Sequence, residues 1–195
     1  MKVNQRTIDL IKEFEGFRVE AYRDIAGIWT IGYGTTAAAG VGITPRPGMK
    51  ITQAEAEWYL QKAVYAFSEK IKALLRVEAN ENEFGAFVSL AYNIGVGAFS
   101  RSSALRHFNA GRKTEAANAM LAWNKATVDG KKQVVRGLQR RREAEKALFL
   151  SPVDAKPQTP PTAKKPGSGA KFGGIGWVVG LIGAAAAYFW SQFGG

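Results

Sequence analysis

Glu15, Asp24 and Thr30 stand in the order Glu, eight residues, Asp, five residues, Thr, inside a segment that reads EGFRVEAYRDIAGIWTIGYGTT. Two carboxyls and a hydroxyl suit the hydrolysis of a glycosidic bond. One carboxyl must be protonated to donate to the leaving oxygen, and the other ionised to assist water or stabilise positive charge. Burial against aromatic side chains would keep Glu15 an acid, and a hydroxyl beside Asp24 would hold the attacking water. Both residues also have ordinary readings. A glutamate before glycine is common at helix ends, and an aspartate in a turn usually caps backbone amides. Spacing alone leaves both readings open.

The elements that must position these groups follow from periodicity. Ile8, Leu10, Ile11 and Phe14 recur at helical spacing over residues 4–15, and Gly16 is a plausible stop. Residues 17–36 then interleave aromatic and β-branched residues with Gly27, Gly32 and Gly34, which predicts a small antiparallel sheet with tight turns. Such a helix end facing a hairpin can hold two carboxyls across a cleft without contact between them. Residues 37–50 read as loop, with Gly40, Gly42, Pro45, Pro47 and Gly48. Thr52 with Glu55 forms a capping-box signal for a helix to about residue 75, and Asn80 with Glu83 repeats it before the apolar run from Phe84 to Ile94. Further helices fit 100–109, 113–123 and 134–149. The body is expected to be mainly helical, with one small sheet near its N-terminus.

Composition narrows the chemistry. The 195 residues contain no cysteine, so disulfides, thiolate metal sites and a cysteine nucleophile are excluded. The single histidine, His107, reads as an ordinary helix residue, and acid–base work falls mainly to carboxylates. Neither cofactor nor metal is expected. The net charge of +11 divides into +8 over residues 1–150 and +3 beyond, which suits an anionic wall polymer, anionic lipid or nucleic acid. No recognition motif supports nucleic acid as a partner. Asp9, Lys12 and Glu13 interrupt the N-terminal apolar residues, so a cleavable signal peptide is not expected.

At Ser151 the composition breaks. Residues 151–171 carry five prolines with Lys, Thr, Ser and Gly, the signature of a linker. Residues 172–193 then run FGGIGWVVGLIGAAAAYFWSQF without a charge, about the length that spans a bilayer. Trp177, Tyr188 and Trp190 sit near its ends, and Gly176 with Gly180 forms GxxxG. The expected organisation is a catalytic domain over 1–150, a linker over 151–171 and a membrane segment over 172–193. The alternative for the last is a soluble helical hairpin packed on the body. Lys164, Lys165 and Lys171 would leave the enzyme on the cytoplasmic side.

The segment from Glu15 to Thr36 resembles the signature of the phage lysozymes of glycoside hydrolase family 24, the T4-type and lambdoid endolysins. The similarity continues through SLAYNIGVGAFSRSSALRHFNAG, AANAMLAWNKA and GLQRRREAEKALFLS, so it covers residues 1–151. Thr35 departs from it, where many members carry histidine.

The resemblance implies an α+β, mainly helical lysozyme-like fold with a small antiparallel β-sheet lobe, to which the C-terminal hydrophobic helix is added. It implies Glu15 as general acid, and Asp24 with Thr30 positioning a water that inverts the anomeric carbon. The bond cut would be the β-1,4 link between N-acetylmuramic acid and N-acetylglucosamine of bacterial peptidoglycan.

Thr36, Tyr92, Asn93 and Ser102 are the candidate substrate contacts. Tyr92 is equally a core aromatic at helical spacing, and capping its own helix is the stronger reading of Ser102. Arg136, Arg140, Arg141 and Arg142 form the densest basic cluster; the stronger reading is a solvated helix face pairing with Glu143 and Glu145, the weaker an anchor for anionic polymers. The protein would be made in the host cytoplasm, associate with the inner membrane and act on periplasmic peptidoglycan. A holin would release it, or the tail would disturb membranes itself. The rival readings are a virion-associated lysozyme acting at infection and a membrane-disrupting protein whose lysozyme-like domain only binds the wall.

Overall fold

The computed structural model describes residues 1–153, apart from Ile25, Asp129 and Gly130. The hydrophobic stretch 172–193 and nearly all of the proline-rich linker lie outside the described residues. Among those described, no helix is long and apolar enough to cross a membrane.

Helix α1 spans Gln5–Glu15 and starts where Asn4 accepts a hydrogen bond from the Thr7 amide. It stops at Gly16, whose φ of 69° an L side chain rarely adopts. Strands β1 (Arg18–Arg23), β2 (Trp29–Gly32) and β3 (Thr35–Thr36) follow as one antiparallel sheet in sequence order. The register puts Thr30 opposite Tyr22 on one side and Thr36 on the other. Residues Met49 and Ile51 hydrogen-bond to Ala21 and Val19, and so tie the following loop to β1.

Both capping boxes form as the sequence indicates, at Thr52 with Glu55 and at Asn80 with Glu83. They open α2 (Gln53–Leu74) and α3 (Glu81–Ile94). Helix α3 is buried at every residue from Asn82 to Asn93, because α1, α2 and α7 pack around it. Helices α4 (Val96–Ser100), α5 (Ser103–Asn109), α6 (Lys113–Met120) and α7 (Arg136–Leu150) complete the larger lobe. Phe87 at its centre meets Phe99, Phe108 and Phe149 at ring-centroid distances of 5.1 Å. At the body's edge the Asn82 amide ties the residues before α1 to those after α7. It accepts from Asn4 and donates to the Ser151 and Pro152 carbonyls.

Two expectations are corrected. A helix over 113–123 ends at Met120, and residues 125–134 are not a gap between helices but a second hairpin, β4 (Lys125–Val128) with β5 (Lys131–Val134). The described body therefore has two small sheets. The sequence signal is Asp129-Gly130 between Thr127-Val128 and Val134-Val135, a dipeptide that favours two-residue hairpin turns. The basic cluster is the other. Arg140 is solvated, but Arg141, Arg142 and Glu145 are completely buried. They lie on the same face of α7 as Leu138, Leu148 and Phe149, which point into the core.

Helix α1 approaches α3 so closely that a Cβ on Gly85 would sit 1.9 Å from Thr7 Oγ1. That hydroxyl is fully buried and donates to Asn4, so it has little room to yield. Gly85→Ala is therefore expected to lower stability by about 1–3 kcal/mol in urea melts, despite alanine's better helix propensity. The cost should shrink in a Thr7→Ala background. An additive pair would disprove the close contact.

Candidate active site

Glu15 is the last residue of α1, placed where Gly16 ends the helix and turns the chain into β1. Its side chain is 1% exposed, as expected for a buried acid, but its nearest partner is not an aromatic ring. Arg141 Nη1 donates to Glu15 Oε1 at 2.7 Å across 126 residues of sequence. That guanidinium also lies 5.8 Å from the Phe14 ring centroid. Gly34, at φ 83°, comes against the other carboxyl oxygen, and a Cβ there would lie 3.5 Å from Glu15 Oε2.

Asp24 follows β1 and is 9% exposed. Its Oδ1 accepts from the backbone amides of Ala26 at 2.9 Å and Ile28 at 2.8 Å, which closes the turn. The ordinary capping role is thus present, yet it uses only one oxygen. Oδ2 is buried without a hydrogen-bond partner among the described residues. Thr30 sits on the middle strand, 2% exposed, and donates to the Ile28 carbonyl at 3.1 Å.

Burial first, then the negative charges of Glu15 and of Asp24, push the Tyr22 phenol above its ordinary range. Tyr92 lies on α3. Burial and then the Glu15 charge raise its phenol strongly, and it donates to the Tyr33 carbonyl at 3.3 Å. Tyr92 also packs on Phe67, so it is at once a core ring and a neighbour of Glu15.

The remaining sequence candidates divide. Thr36, 5% exposed, pairs with Thr30 across the sheet. Asn93 is 3% exposed and accepts from Arg142 at 3.1 Å. Ser102 caps α5 by accepting from the Leu105 amide. Thr35 Oγ1, at the position that departs from the family pattern, is buried without a hydrogen-bond partner among the described residues.

Sequence reasoning missed Arg141, the cation bonded to Glu15 among the described residues, together with Ser89 and Glu145 behind it. Glu145 Oε1 accepts from Arg141 Nε at 3.1 Å, Arg142 Nη2 at 3.0 Å and Ser89 Oγ at 2.8 Å. Burial lowers Arg142 to about 10 against the raising effect of the Glu145 charge. For Arg141 burial acts in the same direction, but Glu15 and Glu145 outweigh it and raise it. The signal was available, since charged residues on the apolar stripe of an amphipathic helix must pair inside.

One buried carboxyl thus stands at a helix end and a second in a glycine-rich hairpin, with a buried threonine on the strand that follows, on a mainly helical body. The chain belongs to the phage lysozyme family, whose model matches residues 12–145. It is 37% identical over 151 residues to the endolysin of Acyrthosiphon pisum secondary endosymbiont phage 1, covering 77% of this chain and 99% of that protein. The endolysin of Bacillus phage B103 is 40% identical over 153 residues, again 77% of this chain but 55% of that longer protein. Among solved structures, the muramidase domain of SpmX from Asticaccaulis excentricus superposes with a TM-score of 0.72 at 39% identity. It covers 77% of this chain and 99% of that domain.

Removing the cation should expose what it does. Arg141→Met leaves the Glu15 carboxylate buried without its partner, and a loss of about 3–5 kcal/mol is expected in equilibrium unfolding. In a Glu15→Gln background the same substitution should cost clearly less. Equal costs in both backgrounds would mean that the pair contributes nothing as a pair.

Proposed function

We propose that this chain is an endolysin that hydrolyses the β-1,4 bond between N-acetylmuramic acid and N-acetylglucosamine in bacterial peptidoglycan. The family assignment supports the substrate class. Placement in glycoside hydrolase family 24, on its T4-type and lambdoid branch, rests on the Glu15–Asp24–Thr30 spacing. The observation that carries the mechanism is the divided duty of Asp24: one oxygen is fixed by two amides, and the other is buried without a hydrogen-bond partner among the described residues. A carboxylate held in this way suits a base that accepts a proton from water.

In this reading Glu15 donates its proton to the leaving glycosidic oxygen as the bond to the anomeric carbon breaks. Asp24 takes a proton from a water whose oxygen attacks that carbon from the opposite face. Thr30, with its hydroxyl hydrogen committed to the Ile28 carbonyl, offers its lone pairs to hold that water. The configuration inverts. Thr36 beside Thr30, and Tyr92, Asn93 and Ser102 from the larger lobe, are proposed to contact the glycan.

Mass spectrometry of purified peptidoglycan digested by the full chain tests this. Muropeptides with ordinary reducing ends are expected from the wild type. Glu15→Gln and Asp24→Asn should each lower the rate at least about a hundredfold, the scale of one general acid or base. Products ending in 1,6-anhydromuramic acid would make the enzyme a transglycosylase, which needs no water, and would remove Asp24 from the mechanism.

The tail supports a second element of the reading. Residues 172–193 carry no charge over 22 positions, and we infer that they hold the enzyme at the host inner membrane until a holin, or the tail itself, opens the way to the wall. Leu181→Arg places a charge near the middle of that stretch, where it costs about 2.5–3.5 kcal/mol in a membrane. The variant is expected to leave the membrane fraction in flotation assays while it keeps its rate on soluble glycan. Unchanged flotation would refute membrane insertion.

A further inference from the structure

The site reading accounts for Glu15 but leaves a second buried carboxylate and a second buried guanidinium unexplained. We propose that Glu145 and Arg142 are positioning residues for the general acid and act on it through Arg141. Glu15, Arg141, Glu145 and Arg142 form a buried chain of alternating charge, and Glu145 divides the charge of Arg141 so that Glu15 can hold its proton. This rests on the reading of Glu15 as the general acid.

The geometry is specific. Arg141 donates from Nη1 to Glu15 at 2.7 Å and from Nε to Glu145 at 3.1 Å, so one guanidinium serves two carboxylates. Arg142 Nη2 donates to the same Glu145 oxygen and to Asn93. Ser89 supplies a third donor to that oxygen, and its carbonyl accepts from Arg141 Nη2 at 3.3 Å. Arg141, Arg142, Glu145 and Ser89 are all fully buried. Solvent therefore screens these charges little, and each acts strongly on the next.

The sign follows from electrostatics. A carboxylate that faces an unshared guanidinium is held ionised, whereas a general acid must carry a proton. A second carboxylate on that guanidinium offsets its field and repels the first. Arg142 does the reverse, because it offsets Glu145. The other groups facing Glu15 are Tyr92 from α3, Tyr22 from β1 with Asp24 beyond it, and the Gly34 backbone. On α1 itself, Lys12 is bonded to Glu57, and Glu13 faces Arg140. Burial and the nearby carboxylates raise the phenols of Tyr22 and Tyr92. Among the described residues, α7 supplies Arg141, which is bonded to Glu15, and behind it Glu145 and Arg142.

The test is the pH–rate profile of the full chain on purified peptidoglycan at constant ionic strength. Its alkaline limb reports loss of the acid's proton. Glu145→Gln should move that limb down by about one pH unit, and Arg142→Met should move it up by a similar amount. The double variant removes opposite charges together, and its limb should return to within a few tenths of a unit of the wild type. A packing role would lower rates with the limb unmoved. Movement in the same direction in both single variants, or in neither, overturns the proposal.

Ser89→Ala carries the test if a charge variant fails to fold, because it removes only a hydroxyl. Glu145 then pulls harder on Arg141, and the limb should rise by a few tenths of a unit. An unmoved or lowered limb would count against the chain of charges. Glu15→Gln serves as the control. Full activity there overturns the general-acid reading and this proposal together, whereas an inactive control with unmoved limbs overturns this proposal alone.

Discussion

An ion pair buried from water binds α1 to α7. Glu15 and Arg141 meet at 2.7 Å with side chains 1% and 0% exposed. Desolvating two charges costs several kcal/mol each, and attraction repays this only when the geometry is good and the remaining donors are satisfied. Arg141 meets that condition through Glu145, the Ser89 carbonyl and the face of Phe14. The arrangement needs α1, α3 and α7 in one fixed relation. The Phe87 cluster on α3 and the Gly85–Thr7 contact supply that relation.

The hairpin solves a different problem. Its catalytic candidate must be fixed without its reactive oxygen being consumed. Backbone amides do this at Asp24, since the turn through Ala26 and Ile28 takes one oxygen. Glu15 is thus held by a charged side chain from a distant helix, and Asp24 by its own local backbone. A long-range ion pair depends on the whole core, whereas this turn depends on the five residues 24–28. Substitutions deep in the larger lobe should therefore disturb the placement of Glu15 before that of Asp24.

The local elements were legible because their signals are local. Gly16, the Thr52 and Asn80 capping boxes and the glycine-punctuated hairpin each act within a few residues. The spacing of Glu15, Asp24 and Thr30 is local in the same way and falls within the residues that the family model matches. Arg141 was not, because its partner lies 126 residues away and a run of three arginines resembles a solvated surface. Helical phase resolves the run. Arg142 and Glu145 share the face of Leu138 and Phe149, whereas Arg140 faces water. The β4–β5 hairpin was overlooked beside stronger helical patterns, although Asp129-Gly130 marks it.

The opposite-face attack by a water held between Asp24 and Thr30 is tested most directly by proton NMR of the first products. The full chain would be mixed with a soluble peptidoglycan fragment and the newly formed reducing end followed before mutarotation. Inversion of a β-1,4 bond predicts that the α-anomer appears first. Initial release of the β-anomer would mean a covalent glycosyl-enzyme intermediate, and would contradict the role assigned to Asp24.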